Sequence, residues 1–344
     1  MVSIVVPCRN EAGSIEGCLR SLASDSYPKN QLEILVVDGE SHDGTQEVVE
    51  RMARQHGFVR LLRNPKHNTA TGMNIGIREA KGDIVMVVSA HAEYGEQYIS
   101  RCVETLQKVG ADCVGGPITT LPRADTPMAR AIALAMSSPF GVGTAKFRTS
   151  QYHGYVDTVA FGAYRREIFQ KVGLFDEKLI RNQDAELNYR ILKAGGKIFM
   201  DPGICSTYRA RETLSKLWQQ YFQYGYWKLR VILKHGRPGS WRQVVPVLFA
   251  SALIGLPVVG IFSSVALELW ALMVIAYLGF SFSFSVKAMR NRGWRVALAL
   301  PAAFFVLHSS YGIGFMWGML DIGVLGVLRE AAVRAIAHIS KALG

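Results

Sequence analysis

The sequence predicts a doubly wound α/β domain followed by a membrane domain, and three observations carry that expectation. Over residues 1–241, short runs of branched apolar residues alternate with segments of helical periodicity and with charged, glycine-containing connections. That is the pattern of strands and helices layered around a sheet. From residue 243 onward it changes: residues 244–262 carry no charge, 264–286 carry only Glu268, and 296–320 contain no Asp, Glu, Lys or Arg and one histidine, His308. Each stretch is long enough to span roughly 30 Å of hydrocarbon. Finally, the basic residues crowd the margins of those stretches.

The third observation also disposes of a class of function. A formal charge of +12 over 344 residues would suit a nucleic-acid partner if it were spread over a folded surface. Instead Arg209, Arg211, Lys216, Lys228, Arg230, Lys234, Arg237 and Arg242 precede the first apolar stretch, and Lys287, Arg290, Arg292 and Arg295 fill the loop between the second and third. Cations in those places keep a segment on the cytoplasmic side, so the sequence implies a cytoplasmic α/β domain and no nucleic acid. Three complete spans would put Arg329, Arg334 and Lys341 on the far side. Either the last apolar region re-enters, or residues 320–343 form a helix on the membrane surface. The chain opens on a strand rather than a signal peptide. Its five cysteines are scattered without C-x-x-C spacing, which predicts neither a disulfide framework nor a zinc site and fits a reducing compartment.

Within the α/β part, residues 3–6, 32–37 and 84–88 read as buried parallel strands, and 11–23, 45–55 and 71–80 as helices. Ligands of such sheets sit beyond the carboxyl ends of the strands. Pro7, Cys8, Arg9, Asn10 and Glu11 follow the first strand; Asp38 ends the second, with Asp43 before the next helix. Asp38 at a strand tip suits a base or ribose contact, whereas Asp43 is equally a helix cap. No glycine fingerprint follows the first strand, which counts against a nicotinamide dehydrogenase. The third strand ends in Ser89, Ala90, His91, Ala92 and Glu93, where His91 and Glu93 could hold a divalent cation against a diphosphate. Asp184 and Glu186 stand at the start of a helix whose apolar face is Leu187, Ile191 and Leu192. There a carboxylate either accepts a proton from a hydroxyl or merely improves the helix start. Residues 214–233 place Trp218, Phe222, Leu229 and Leu233 on one side of a helix, with aromatic residues among lysines and arginines as at a membrane interface.

Seven stretches together carry a family resemblance: VSIVVPCRNEAGSIEGCLRSL, EILVVDGESHDGT, NPKHNTATGMNIGI, AHAEY, DTVAFGAYRREIF, VGLFDEKLIRNQDAELNYRILKAGGKI and QQYFQYGYWK. In this order they resemble the inverting glycosyltransferases of family 2, which have a GT-A fold. More narrowly they resemble the membrane-bound glucosyltransferases of succinoglycan-type exopolysaccharide synthesis.

The resemblance implies a division into a cytoplasmic GT-A domain (1–212), amphipathic interface helices (213–242) and a membrane domain (243–344) in a bacterial-type inner membrane. It implies that Pro7, Arg9, Asn10, Glu11, Asp38, Asp43, Asn68, Asn74, Ser89 and Ala90 line the donor site, and that His91 binds Mn²⁺ or Mg²⁺. Asp184 would be the base that deprotonates the acceptor. Gly162, Glu186, Gln220, Tyr224 and Trp227 would lie on the acceptor or membrane side. The implied reaction is inverting transfer of a sugar, glucose from a UDP-linked donor, to a polyprenyl-diphosphate-linked saccharide among membrane lipids. The alternatives are a polyprenyl-phosphate glycosyltransferase and a non-catalytic GT-A-like scaffold. The sequence departs from the family at one place. The metal motif, Asp-x-Asp or Asp-Ala-His in this subgroup, here begins with Ser89, so the first carboxylate is missing.

Overall fold

The computed structural model describes residues 1–325. The chain divides into two compact units, Met1–Asp125 with Ala133–Arg211, and Thr126–Ile132 with everything from Glu212 onward.

The first unit contains strands β1 (Val2–Cys8), β2 (Leu32–Asp38), β3 (Val59–Arg63), β4 (Ile84–Val87), β5 (Ala92–Tyr94), β6 (Cys113–Gly116), β7 (Ile118–Leu121), β8 (Gly154–Tyr155), β9 (Ala160–Arg165), β10 (Ile198–Met200) and β11 (Ser206–Arg209). Its helices are α1 (Ile15–Ala23), α2 (Thr45–Gln55), α3 (Thr69–Glu79), α4 (Tyr98–Val109), the short α6 (Pro139–Val142) and α7 (Lys146–Thr149), α8 (Glu167–Val172) and α9 (Gln183–Lys193). A further helix, α5 (Pro127–Ala135), runs across the division between the units.

Eight strands form one sheet in the order β3-β2-β1-β4-β9-β6-β10-β8, and β5-β11-β7 form a second. β3, β2, β1 and β4 are mutually parallel, so their carboxyl ends lie along one edge. Along β1, Val2, Ile4 and Val6 join a cluster with Ile15, Cys18, Leu19 and Leu22 of α1. Val5 joins the opposite cluster with Leu35, Val37, Ala70 and Ile77. Burial on both faces is why the strand reads as an unbroken apolar run, each such side chain contributing about 1.5–3 kcal/mol.

Three features depart from the sequence expectation. β3 is half-buried and carries Arg60 and Arg63, the polar marks of an edge strand that hide its strand character. β9 enters the sheet antiparallel between β4 and β6, so the doubly wound pattern holds only through β4. α1 begins at Ile15 rather than residue 11. Glu11 spends its amide on Thr45 Oγ1 (2.8 Å) and its carboxylate on Ser14 Oγ (2.6 Å), so the chain makes a turn before the helix starts.

The second unit contains α10 (Leu214–His235), α11 (Val245–Gly260), α12 (Ser264–Arg292) and α13 (Trp294–Gly318), followed by a π-helical turn (Met319–Leu325). Three stretches, Trp241–Gly260, Ser264–Arg292 and Trp294–Gly323, are long and apolar enough to cross a membrane. α13 is the most enclosed of the three and packs on α10, α11 and α12. Its contact with α10 depends on missing side chains. A Cβ at Gly225 would lie 2.0 Å from the Tyr311 carbonyl oxygen, and one at Gly314 would lie 2.1 Å from that of Phe222. This is the close backbone approach that small residues permit between packed helices. The loop expected to hold Lys287, Arg290, Arg292 and Arg295 is a single residue, Gly293 (φ 89°), because α12 continues to Arg292. The re-entrant or surface-lying tail expected from residue 320 lies, beyond Leu325, outside the described residues.

Candidate functional site

The carboxyl ends of β1 and β2 are laced to each other. The Asn10 amide donates to Ser41 Oγ (2.8 Å), Asn10 Oδ1 accepts from the His42 amide (3.0 Å), and the Ala12 amide donates to Asp43 Oδ2 (3.1 Å). Asp43 Oδ1 also accepts from the Thr45 hydroxyl and amide. These hydrogen bonds, the Thr45 hydroxyl first, hold its carboxyl below its ordinary range. Asp43 therefore serves the start of α2 and ties the two loops together. Asp38, buried at the tip of β2, accepts from the Ser41 amide (2.9 Å), Ser41 Oγ (2.5 Å) and Gln46 Nε2 (2.6 Å). Asn10, Glu40 and His67 are non-glycine residues at φ 54°, 55° and 55°, one after each of β1, β2 and β3. Left-handed backbone at ordinary residues costs on the order of 1–3 kcal/mol each and persists where the surroundings enforce it. Pro7 is half-buried and Arg9 exposed on the same edge.

On the other side of β1, the turn after β4 is closed by Tyr94, whose hydroxyl accepts from the Ser89 amide (2.7 Å) and donates to the Ser89 carbonyl (3.1 Å). Ala90 is buried. His91 Nδ1 lies 3.0 Å from Glu11 Oε1, which joins the β4 turn to the loop after β1. Burial raises the Glu11 carboxyl, but the hydrogen bonds from His91 and Ser14 outweigh it and hold the group below its ordinary range. Glu93 is ion-paired with Arg209 at 3.5 Å. Among the described residues, no group of three or more His, Cys, Asp or Glu gathers as a metal cluster. Burial pushes the Cys8 and Cys18 thiols far above their ordinary range, with Asp38 adding to the shift at Cys8. Neither is a ready nucleophile.

Asn68 and Asn74 belong to a different assembly. Asn68 caps α3, accepting from the Ala70 amide (2.8 Å) and donating to the Glu177 carbonyl (2.7 Å). Asn74 is buried and pairs with the backbone of Phe175 through both its Nδ2 and its Oδ1, each at 2.9 Å. The Glu177 carboxylate then accepts from Asn74, Thr71 and Lys66. The face of α3 thus grips the segment leading to α9. The Asn74 hydrogen bond, followed by that of Lys66, lowers the Glu177 carboxyl below its ordinary range. A lowered folded value contributes stability that is complete above the unfolded value and is lost as pH falls through the folded one. Amide exchange of residues 174–178, corrected for intrinsic rates, is expected to accelerate below about pH 4.5, while Glu177→Gln shows no such step.

Asp184 is exposed on the first turn of α9, with Oδ1 accepting from the Ala185 amide at 2.8 Å. The residue before the helix, Asn182, has φ 64°. Glu186, two residues on, is fully buried and bidentate with Arg190 (2.8–3.0 Å), which also donates to the carbonyls of Val172, Gly173 and Leu174. Gly162 fills a tight place, since a Cβ there would lie 2.8 Å from the Tyr164 hydroxyl. In the second unit, Gln220 Nε2 donates to Tyr224 OH (3.0 Å) and Arg230 lies over the Trp227 ring (4.9 Å). The sequence reading passed over Ser41, Thr45 and Tyr94, which hold the loops in place. All three lie inside the motif strings, but a hydroxyl gives no sign of its partner until the chain is folded.

A model of the family described as Glycosyl transferase family 2 matches residues 3–173. The succinoglycan biosynthesis protein ExoA of Rhizobium meliloti (strain 1021) is 33% identical over 322 residues, covering 92% of this chain and 94% of that protein. A dolichyl N-acetyl-alpha-D-glucosaminyl phosphate 3-beta-D-2,3-diacetamido-2,3-dideoxy-beta-D-glucuronosyltransferase of Methanococcus voltae is 27% identical over 327 residues, covering 93% and 97%. The mannosyltransferase PcManGT from Pyrobaculum calidifontis, solved in complex with GDP-Man and Mn²⁺, is similar in fold at a TM-score of 0.58 and 17% identity, over 92% of this chain and 87% of that one. The first unit is thus a GT-A domain.

Proposed function

This chain belongs to glycosyl transferase family 2, and we propose that it transfers a sugar from a nucleotide-sugar to a polyprenyl-diphosphate-linked saccharide, inverting the anomeric carbon, with Asp184 as the base. The observation that carries the reading is the interlocked pair of loops at the ends of β1 and β2, with His91 on the neighbouring strand end joined to them through Glu11. A rigid polar cradle at that edge suits a nucleotide diphosphate. In this reading Pro7, Arg9, Asn10, Asp38 and Asp43 shape the nucleotide pocket, while Asn68 and Asn74 support it from behind by gripping the segment before α9. Glucose from UDP-glucose is our choice of donor, and the names of the two relatives, in succinoglycan biosynthesis and on a dolichyl phosphate-linked sugar, support a lipid-linked acceptor.

The side chains present fit a divalent cation in one manner. His91 offers an imidazole whose orientation Glu11 fixes, as a carboxylate commonly does for a metal-binding histidine. A diphosphate would supply most of the remaining oxygen ligands, as is usual for magnesium and manganese, and PcManGT carries Mn²⁺ with its donor. When bound, such a cation neutralises charge on the diphosphate. Asp184 accepts the proton of the acceptor hydroxyl as its oxygen attacks the anomeric carbon.

We assign the first unit to the cytoplasmic face of an inner membrane, because Lys287, Arg290, Arg292 and Arg295 gather where α12 meets α13. On this reading residues 1–212 are the catalytic domain, 213–242 the interface helices and 243–344 the membrane domain. Membranes containing the full chain, given labelled UDP-glucose and other nucleotide-sugars with lipid extract, are expected to place label in the organic-soluble fraction, more with manganese or magnesium than with chelator. Label confined to a water-soluble product would overturn the lipid-acceptor assignment.

A further inference from the structure

One row of the small sheet leads from His91 to an arginine, Arg148, on α7. Ala92, Tyr208 and Thr120 stand side by side across β5, β11 and β7. The Tyr208 ring lies 5.8 Å from the His91 imidazole. Over the same ring, 5.6 Å from its centroid, lies the guanidinium of Arg148 from α7, whose Nη1 donates to Thr120 Oγ1 at 3.4 Å. The guanidinium also lies 5.6 Å from the centroid of the Phe147 ring. Among the described residues no carboxylate lies within ion-pair distance of Arg148, whereas Arg209, the residue after Tyr208 on β11, is matched by Glu93. Arg123, exposed just beyond β7, adds a second positive charge that bears on Glu11.

A half-buried guanidinium oriented by a ring and a hydroxyl, with no carboxylate on its remaining N–H groups among the described residues, matches the geometry of a phosphate. It also answers the missing carboxylate at Ser89. A cation held by fewer protein ligands leaves more of the leaving group's charge to be balanced by fixed positive side chains.

We propose that Arg148 is a further catalytic residue, which binds the diphosphate of the nucleotide-sugar and stabilises the charge it acquires on leaving. The inference rests on the donor site argued above. In the step it serves, the acceptor oxygen forms its bond to the anomeric carbon as the bond from that carbon to the β-phosphate oxygen breaks. The electron pair departs on the diphosphate facing Arg148, and the hydroxyl proton passes to Asp184.

Isothermal titration of the purified full-length protein with UDP, UMP, GDP and GMP, with and without manganese and with no acceptor present, isolates the donor phosphates. The wild type is expected to favour the diphosphate of its own nucleotide over the monophosphate. Arg148→Gln should lose that preference by about ten- to a hundredfold with monophosphate affinity held within about twofold, and Arg148→Lys should recover part of it. The unchanged monophosphate affinity also reports that the variant is folded. A full diphosphate preference in Arg148→Gln overturns the proposal, and so does that result joined to a raised KM for the lipid acceptor, which would give the arginine to the acceptor's phosphates. A wild type that binds none of the four nucleotides removes the donor site itself, and the proposal with it.

Discussion

Asp184→Asn is expected to lower sugar transfer by about 10²–10⁴-fold, the usual contribution of a positioned general base, with nucleotide affinity unchanged. The geometry makes the test a clean one. Asp184 is exposed, and its carboxylate accepts a hydrogen bond from the Ala185 amide within its own helix. Asparagine keeps the shape and the acceptor oxygen, so the structural loss is confined to the carboxylate's interaction with the start of α9, about 0.3–1 kcal/mol. The other acid on that turn is no substitute, because Glu186 is fully buried in its pair with Arg190. Initial transfer rates at saturating donor, together with nucleotide titration on the same preparation, decide the matter. A variant that retains more than about a tenth of wild-type transfer would remove Asp184 from the mechanism.

Arg190→Met should destabilise the first unit by about 3–5 kcal/mol, because it takes the bidentate cationic partner from the buried Glu186 carboxylate. It also strips donors from the carbonyls of Val172, Gly173 and Leu174. Replacing both partners by methionine removes the charge along with its counter-ion and should recover much of that loss. Urea unfolding of the wild type, the two single variants and the double variant gives the coupling between the residues. A single Arg190→Met that shifts stability by less than about 1 kcal/mol would mean that Glu186 takes up a proton or reaches water.

How much of this was legible in the chain varies by element. β1, β2 and β4 could be read directly, since strands buried on both faces have no polar alternation to obscure them. The antiparallel β9 could not, because strand direction is decided by pairing with β4 and β6, far apart in sequence. Around the site, the clustering of Asn10, Glu11, Asp38, Asp43 and His91 at one sheet edge followed from strand-end position alone. What those side chains do with their hydrogen bonds did not follow. Asp38 turns both oxygens toward Ser41 and its neighbours, and Asn74 turns inward to Phe175. The place of Glu186 at the start of a helix was visible in the spacing of Leu187 and Ile191. Its burial was not, because that depends on α9 packing over the segment from Val172 to Leu174.

The connection between α11 and α12 bears on how the protein is made. It consists of Ile261, Phe262 and Ser263, carries no charge, and leaves Ile261 75% and Phe262 89% exposed. On the orientation proposed above, delivering this turn to the opposite side drags no hydrated loop through hydrocarbon. On that orientation the expected course is for the two helices to enter the bilayer together as a hairpin, driven by their own apolar partitioning, with no long polar segment between them to carry across.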